Sequence, residues 1–222
     1  MIKQKNKEEF WKVLSLYHDC TIQNGEYIGM SPDNLELVQS ASLQGFKFDY
    51  SENNDELILV IGDLKGGKKK IYQKLKKIEF SSDRKRESII IKDGNLYKLY
   101  CKGADSIIEE RLLKNSIPNE ILQKNKYYVN FFSSKGFRTL YIAMRILTEK
   151  EYENFILQIE EAELDFEKKE EKLKEIYNLI ESNLTLLGTT IVEDKLQDKV
   201  PKTIKDLRNA GIKICCNRRN ML

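Results

Sequence analysis

An α+β fold, a twisted antiparallel sheet flanked by helices, is predicted by three features of the 222-residue sequence. Strand-like runs follow one another from Phe46 to Lys102 with only turns between them, the pattern of antiparallel pairing. Amphipathic helical text lies on both sides of that block. After Leu184 the character changes to strand, short acidic link, helix and strand, a β-α-β pattern.

The elements follow in order. Phe10, Val13, Leu14 and Tyr17 recur at i, i+3, i+4 and i+7, predicting a helix over residues 7–20. Ser31-Pro32-Asp33-Asn34 combines a Ser N-cap, Pro at the first helical position and an acid in the first turn. That helix should turn Leu35, Val38 and Ala41 inward and stop at Gly45. The strands expected next are Phe46–Tyr50, Leu57–Ile61, Ile71–Phe80, Ser88–Lys92 and Leu96–Lys102, with Asp93-Gly94-Asn95 as the tip of the last hairpin. Helices are expected over Asp105–Leu113 and from Pro118 to about Lys135, where Gly136 caps. Arg138–Leu147 reads as a strand, 149–181 as helix, Leu184–Val192 as a strand, and the tail as a helix near Pro201 and a strand at Ile212–Cys215. A domain boundary is placed near residue 190, giving domains 1–190 and 191–222.

Composition excludes several classes. Apolar residues make up 41% and charged residues 33% of the chain, a profile with core enough for one large domain or two small ones. The longest apolar runs, Leu57–Ile61 and Leu140–Met144, fall far short of the ~20 residues of a membrane-spanning helix. The charged start MIKQKNKEEF has no apolar stretch, so no signal peptide is expected. Cys20, Cys101, Cys215 and Cys216 lack framework spacing and are expected to be reduced thiols. The net charge of +3 hides an asymmetry: Lys65–Arg86 holds ten Lys or Arg against two acids, and Glu149–Glu175 holds eleven acids against five lysines. The basic stretch suits an anion; the acidic one reads as a solvated helix face.

Most local signals have plain explanations. Gly62-Asp63-Leu64-Lys65-Gly66-Gly67-Lys68-Lys69 nearly spells a phosphate-binding loop, but it lacks the Ser/Thr after the lysine and continues as a strand. It is read as a basic hairpin turn. His18, the only histidine, cannot build a His-rich metal site and is expected to be a half-buried helix residue beside Cys20. Lys68-Lys69-Lys70 has no aromatic partners alternating with it, and nucleic-acid binding is not expected. The segment Glu79-Phe80-Ser81-Ser82-Asp83-Arg84-Lys85-Arg86 differs, because an aromatic at a strand end followed by hydroxyls and three cations suits a nucleotide. The ring can stack on a base and the cations can meet phosphates.

That segment belongs to a series. Tyr27-Ile28-Gly29-Met30-Ser31-Pro32-Asp33, Glu79–Arg86, Lys102-Gly103-Ala104-Asp105, Gly136-Phe137-Arg138-Thr139-Leu140 and Glu193-Asp194-Lys195-Leu196-Gln197-Asp198 together resemble the landmarks of type-IV P-type ATPases, the phospholipid flippases, in order, from about residue 8 to 214. Lys-Gly-Ala and Glu-Phe-Ser-x-x-Arg-Lys are shared with cation-pumping relatives, the runner-up reading. Ser-Pro-Asp and Glu-Asp-Lys-Leu-Gln-Asp point to the lipid branch.

The resemblance implies a nucleotide-binding domain carrying a short piece of the phosphorylation domain. It implies an ATP site in which Phe80 stacks on adenine, Ser82 lies beside the nucleotide, Lys102 lines the adenine pocket, Arg138 reaches ribose and phosphates, and Lys85 is a further phosphate contact. Asn34 stands where the family usually has the glutamate that bonds the adenine amino group, which puts base preference in question. No catalytic residue and no metal ligand is assigned; magnesium would serve the intact enzyme through ligands this chain lacks. Implied partners are ATP, the phosphorylation and actuator domains of the same parent, and for the parent an accessory subunit; the piece itself is expected to be monomeric. The implied location is a cytosolic domain of an integral membrane protein. Family members continue from A-G-I-K-I into W-x-L-T-G-D-K, whereas Ala210–Ile214 runs into Cys215-Cys216-Asn217-Arg218-Arg219-Asn220, so the tail after Ile214 is read as a boundary or gene-prediction artefact. A non-catalytic interaction module, with Phe80 merely packed in a core, is the reading from another class.

Overall fold

The computed structural model describes residues 2–62, 67–193 and 199–214, with side chains from residue 6. The chain divides into two units, Met1–Val192 and Glu193–Leu222. In the first, helix α1 (Ile2–Leu16), a small hairpin of β1 (Thr21–Gln23) and β2 (Glu26–Ile28), and helix α2 (Pro32–Leu43) precede the main sheet. That sheet has seven strands: β3 (Phe46–Asp49), β4 (Glu56–Ile61), β5 (Lys68–Ile78), β6 (Arg86–Asp93), β7 (Leu96–Gly103), β8 (Arg138–Leu147) and β9 (Thr185–Val192). Their order in space is their order in the chain, and every neighbouring pair is antiparallel. Helices α3 (Asp105–Glu109) and α4 (Asn119–Ser134) fill the β7–β8 connection, and α5 (Glu149–Glu163) and α6 (Lys169–Ile180) fill the β8–β9 connection. The α+β class and the antiparallel sheet are as the sequence predicts.

Helices cover both faces of the sheet, and this explains the unbroken run Ile89-Ile90-Ile91. Successive side chains of a strand point to opposite faces. Ile89 and Ile91 join Val13, Tyr17, Leu37, Tyr72 and Tyr100 under α1 and α2. Ile90 joins Leu99, Val129, Phe155 and Ile180 under α4, α5 and α6. Each such fully buried aliphatic side chain contributes about 1.5–3 kcal/mol.

Local chemistry sets the element ends. Ser31 Oγ accepts the Asn34 N–H at 3.3 Å and caps α2. Gly136, at φ +88°, closes α4: its N–H reaches Ser133 O, and the Phe137 N–H reaches Phe132 O at 3.1 Å.

Several expected boundaries are corrected. The first helix ends at Leu16 rather than residue 20, because His18 Nε2–H takes the Ser15 carbonyl at 2.8 Å. In α2, Leu37 is buried in place of Leu35. The third helix stops at Glu109, since the chain then turns to pair with Leu184: Leu113 N–H donates to Leu184 O and Leu184 N–H to Arg111 O. The single helix expected over 149–181 is two, broken where Asp165 Oδ1 accepts the N–H groups of Glu167 and Lys168. In the second unit, α7 (Val200–Asn209) forms as expected, but Ile212–Ile214 makes no strand because no described strand pairs with it. Residues 63–66 of the basic turn, 194–198 of the acidic link, and Cys215 onward lie outside the described residues.

Candidate functional site

Register places the sequence-predicted residues at one end of the sheet. β5 leaves and β6 enters through the loop holding Phe80, Ser82 and Lys85. Arg86 pairs with Gly103 at the end of β7, Gly103 with Tyr141 in β8, and Arg138, the first residue of β8, with Val192. Gly103 is required by this close approach. A Cβ there would lie 2.6 Å from Arg86 Cβ and 2.7 Å from Lys85 O.

The first turn of α2 ties three of those residues together. Lys102 is 4% exposed, and its ammonium donates to Tyr17 O at 2.8 Å and to Asn34 Oδ1 at 2.7 Å and forms an ion pair with Glu87 Oε1 at 3.0 Å. The ammonium is therefore held within the protein by two hydrogen bonds and an ion pair. Asn34 Nδ2 in turn donates to Asp19 Oδ1 at 2.7 Å. One residue earlier, Asp33 Oδ2 accepts a hydrogen bond from Arg138 Nη1 at 2.8 Å, and Arg138 Nη2 forms an ion pair with Oδ1 at 2.8 Å. Asn34, Lys102 and Arg138 thus converge on one helix start, although Lys102 reaches any ligand through Asn34 rather than through a proton of its own.

The β5–β6 loop is built differently from its reading as three cations facing an anion. Arg84 and Arg86 are buried, and Lys85 alone of the triplet is exposed. Lys85 sits at φ +49° with its N–H on Ser81 O, so its neighbours both turn inward. They converge on Glu181, a carboxylate with no exposed surface at the end of α6. Arg84 pairs with one of its oxygens, Arg86 Nε donates to the other at 2.7 Å, and Ser88 Oγ donates at 2.6 Å. Arg84 also donates to Glu79 O at 2.7 Å and lies over the Tyr177 ring. The two arginines clamp the loop to α6 and leave Phe80, 59% exposed, as an open apolar platform beside exposed Ser82 and Lys85.

Sequence reasoning passed over Asp19 and Glu181. Asp19 carries no motif. Glu181 closes a segment that reads as solvated, yet the alternation Arg-Lys-Arg entering a strand already puts two cations on one face.

Other polar features are structural. His18 Nε2–H donates to Ser15 O while Nδ1 accepts the Cys20 N–H, and its ring meets Phe48 edge-on. Burial pushes its pKa down to about 4, so it is neutral near pH 7. Cys20 and Cys101 are free thiols. Among the described residues no group of His, Cys, Asp or Glu is placed to hold a metal ion. A concavity of about 740 Å³ between α1, α4 and β9 is lined by Phe10, Trp11, Ile117, Ile121 and Leu186 and by none of the candidate residues.

A family profile described as P-type ATPase, cytoplasmic domain N, matches residues 8–199, and the chain belongs to that family. Curated relatives place it more narrowly. The chain is 43% identical over 191 residues to phospholipid-transporting ATPase DRS2 of Saccharomyces cerevisiae, covering 85% of this chain and 14% of that protein. It is 42% identical to phospholipid-transporting ATPase dnf2 of Schizosaccharomyces pombe, covering 93% of this chain and 15% of that protein. It is 36% identical to human phospholipid-transporting ATPase IC, covering 96% and 17%. The chain therefore spans about a sixth of the length of these relatives. No helix among the described residues is long and apolar enough to cross a membrane.

Proposed function

We propose that this chain is the ATP-binding part of an ATP-driven phospholipid-translocating P-type ATPase. The observation that carries this reading is the exposed Phe80 held at a sheet end shared with the Asn34–Lys102 pair and Arg138. An aromatic at 59% exposure contributes little to the core, and its clamped loop suits it to stack a base. Asn34 would read the amino edge of adenine, with Lys102 setting its orientation. Ser82 would lie beside the nucleotide. Lys85 and Arg138 would meet ribose and phosphates, Arg138 by exchanging part of its pairing with Asp33.

In the intact enzyme this domain would deliver the γ-phosphate to an aspartate outside this chain. Phosphoryl transfer depends on positioning and on neutralising charge, and the residues here supply positioning only. The second unit, from about residue 191, would belong to the phosphorylation domain, with a hinge at the link 193–198. The phosphorylation and actuator domains of the same parent would be its partners, and the parent would hold it at the cytosolic face of a membrane.

The expected result for the purified chain is ATP binding with a Kd on the order of 0.1–10 mM and no turnover. Equilibrium dialysis with labelled ATP, run beside a phosphate-release assay, checks both halves. Phosphate release above the no-protein control contradicts the assignment of positioning alone.

A further inference from the structure

The side-chain amide of Asn34 can stand two ways round, since its oxygen and nitrogen ends have nearly the same shape. Its neighbours decide between them. Asp19 offers only acceptors and lies 2.7 Å from Nδ2; Lys102 offers only donors and lies 2.7 Å from Oδ1. Turning the amide over would set its NH2 against the ammonium and its carbonyl against the carboxylate. Lys102 cannot swing aside cheaply, because its ammonium also donates to Tyr17 O and pairs with Glu87. Desolvation raises the Asp19 pKa, but the Asn34 N–H, a backbone N–H and the positive charges of Lys102 and Lys77 together outweigh it and hold the carboxyl below its usual range. It is ionised, and acceptor only, at neutral pH.

With those two bonds made, the amide retains one N–H and one oxygen lone pair. That is an adjacent donor and acceptor, complementary to the amino donor and N1 acceptor of adenine, as an asparagine is to N6 and N7. At the same two positions a 6-oxopurine presents the reverse, a carbonyl acceptor and a ring N–H donor. We propose that Asp19 is a positioning residue for base selectivity. By holding Asn34 in one orientation with Lys102, it makes the site choose a 6-aminopurine over a 6-oxopurine. The proposal rests on the reading that Asn34 faces the base.

The test compares ATP with inosine triphosphate, which differs only at the 6-position and the adjacent ring nitrogen. Both are titrated against the whole chain, in the wild type and in Asp19→Asn and Asp19→Ser, with amide spectra confirming the fold. The wild type is expected to prefer ATP by about tenfold or more. In Asp19→Asn the new amide can offer either end to Asn34, leaving Lys102 alone to orient it, and the ratio should fall several-fold; Asp19→Ser should do the same. An unchanged ratio in both folded variants overturns the proposal, as does a wild type that binds ATP and inosine triphosphate equally. A wild type that binds neither overturns the site reading as well, so the two failures are told apart.

Discussion

Glu181→Ala is expected to lower the melting temperature by on the order of 10 °C. The carboxylate has no exposed surface and holds Arg84, Arg86 and Ser88 at once. Removing it leaves two cations buried without their partner, which costs about 3–5 kcal/mol. For a chain of this length each kcal/mol shifts the melting point by about 2–4 °C. The cost lies in the stranded charges rather than in a large intrinsic gain from the pair. Changing Arg84 and Arg86 to methionine in the same background should therefore recover much of the loss. Calorimetry of the single and triple variants checks this; a fall under about 1 kcal/mol in the single variant contradicts the clamp. The same substitution should loosen the 79–85 loop, because Arg84 is what joins Glu79 to α6.

Phe80→Ala should weaken ATP binding by roughly five- to hundredfold and leave stability within about 0.5 kcal/mol. Stacking of a base on an aromatic ring is worth about 1–3 kcal/mol, which sets the first figure. The second follows from exposure, since substitutions away from buried contacts rarely exceed that cost. Phe155, at 3% exposure in the core under α5, would behave in the opposite way. The pairing of lost binding with retained stability separates a ligand platform from a packing residue. Unchanged affinity in a folded Phe80→Ala protein would put the base elsewhere.

Much of the sheet was legible because its signals are local. The Gly94-Asn95 turn, with Gly94 at φ +61°, and the alternating or doubly buried apolar runs require no knowledge of distant residues. The β1–β2 hairpin carries an equally local signal, Asn24-Gly25, with both residues at positive φ, but its three-residue strands are too short to show an alternation. What was not legible depends on remote partners. Arg86 meets Glu181 from 95 positions away, so two arginines of an apparent anion site became a structural clamp. Asn34 meets Lys102 across 68 positions, and the consequence, a buried lysine held by Tyr17, Asn34 and Glu87, appears only in three dimensions. The break between α5 and α6 is hidden for a different reason: Glu- and Lys-rich text favours helix throughout, and one Asp side chain accepting the backbone N–H groups two and three residues on outcompetes it.

Nucleotide binding is tested most directly by titrating the chain with ATP and following its backbone amide shifts, with Phe80→Ala as the control. The expected shifts cluster at Asn34, Phe80, Lys102 and Arg138 and disappear in the variant. No shift at about 10 mM ATP, or shifts confined to the concavity between α1, α4 and β9, would contradict nucleotide binding at this end of the sheet.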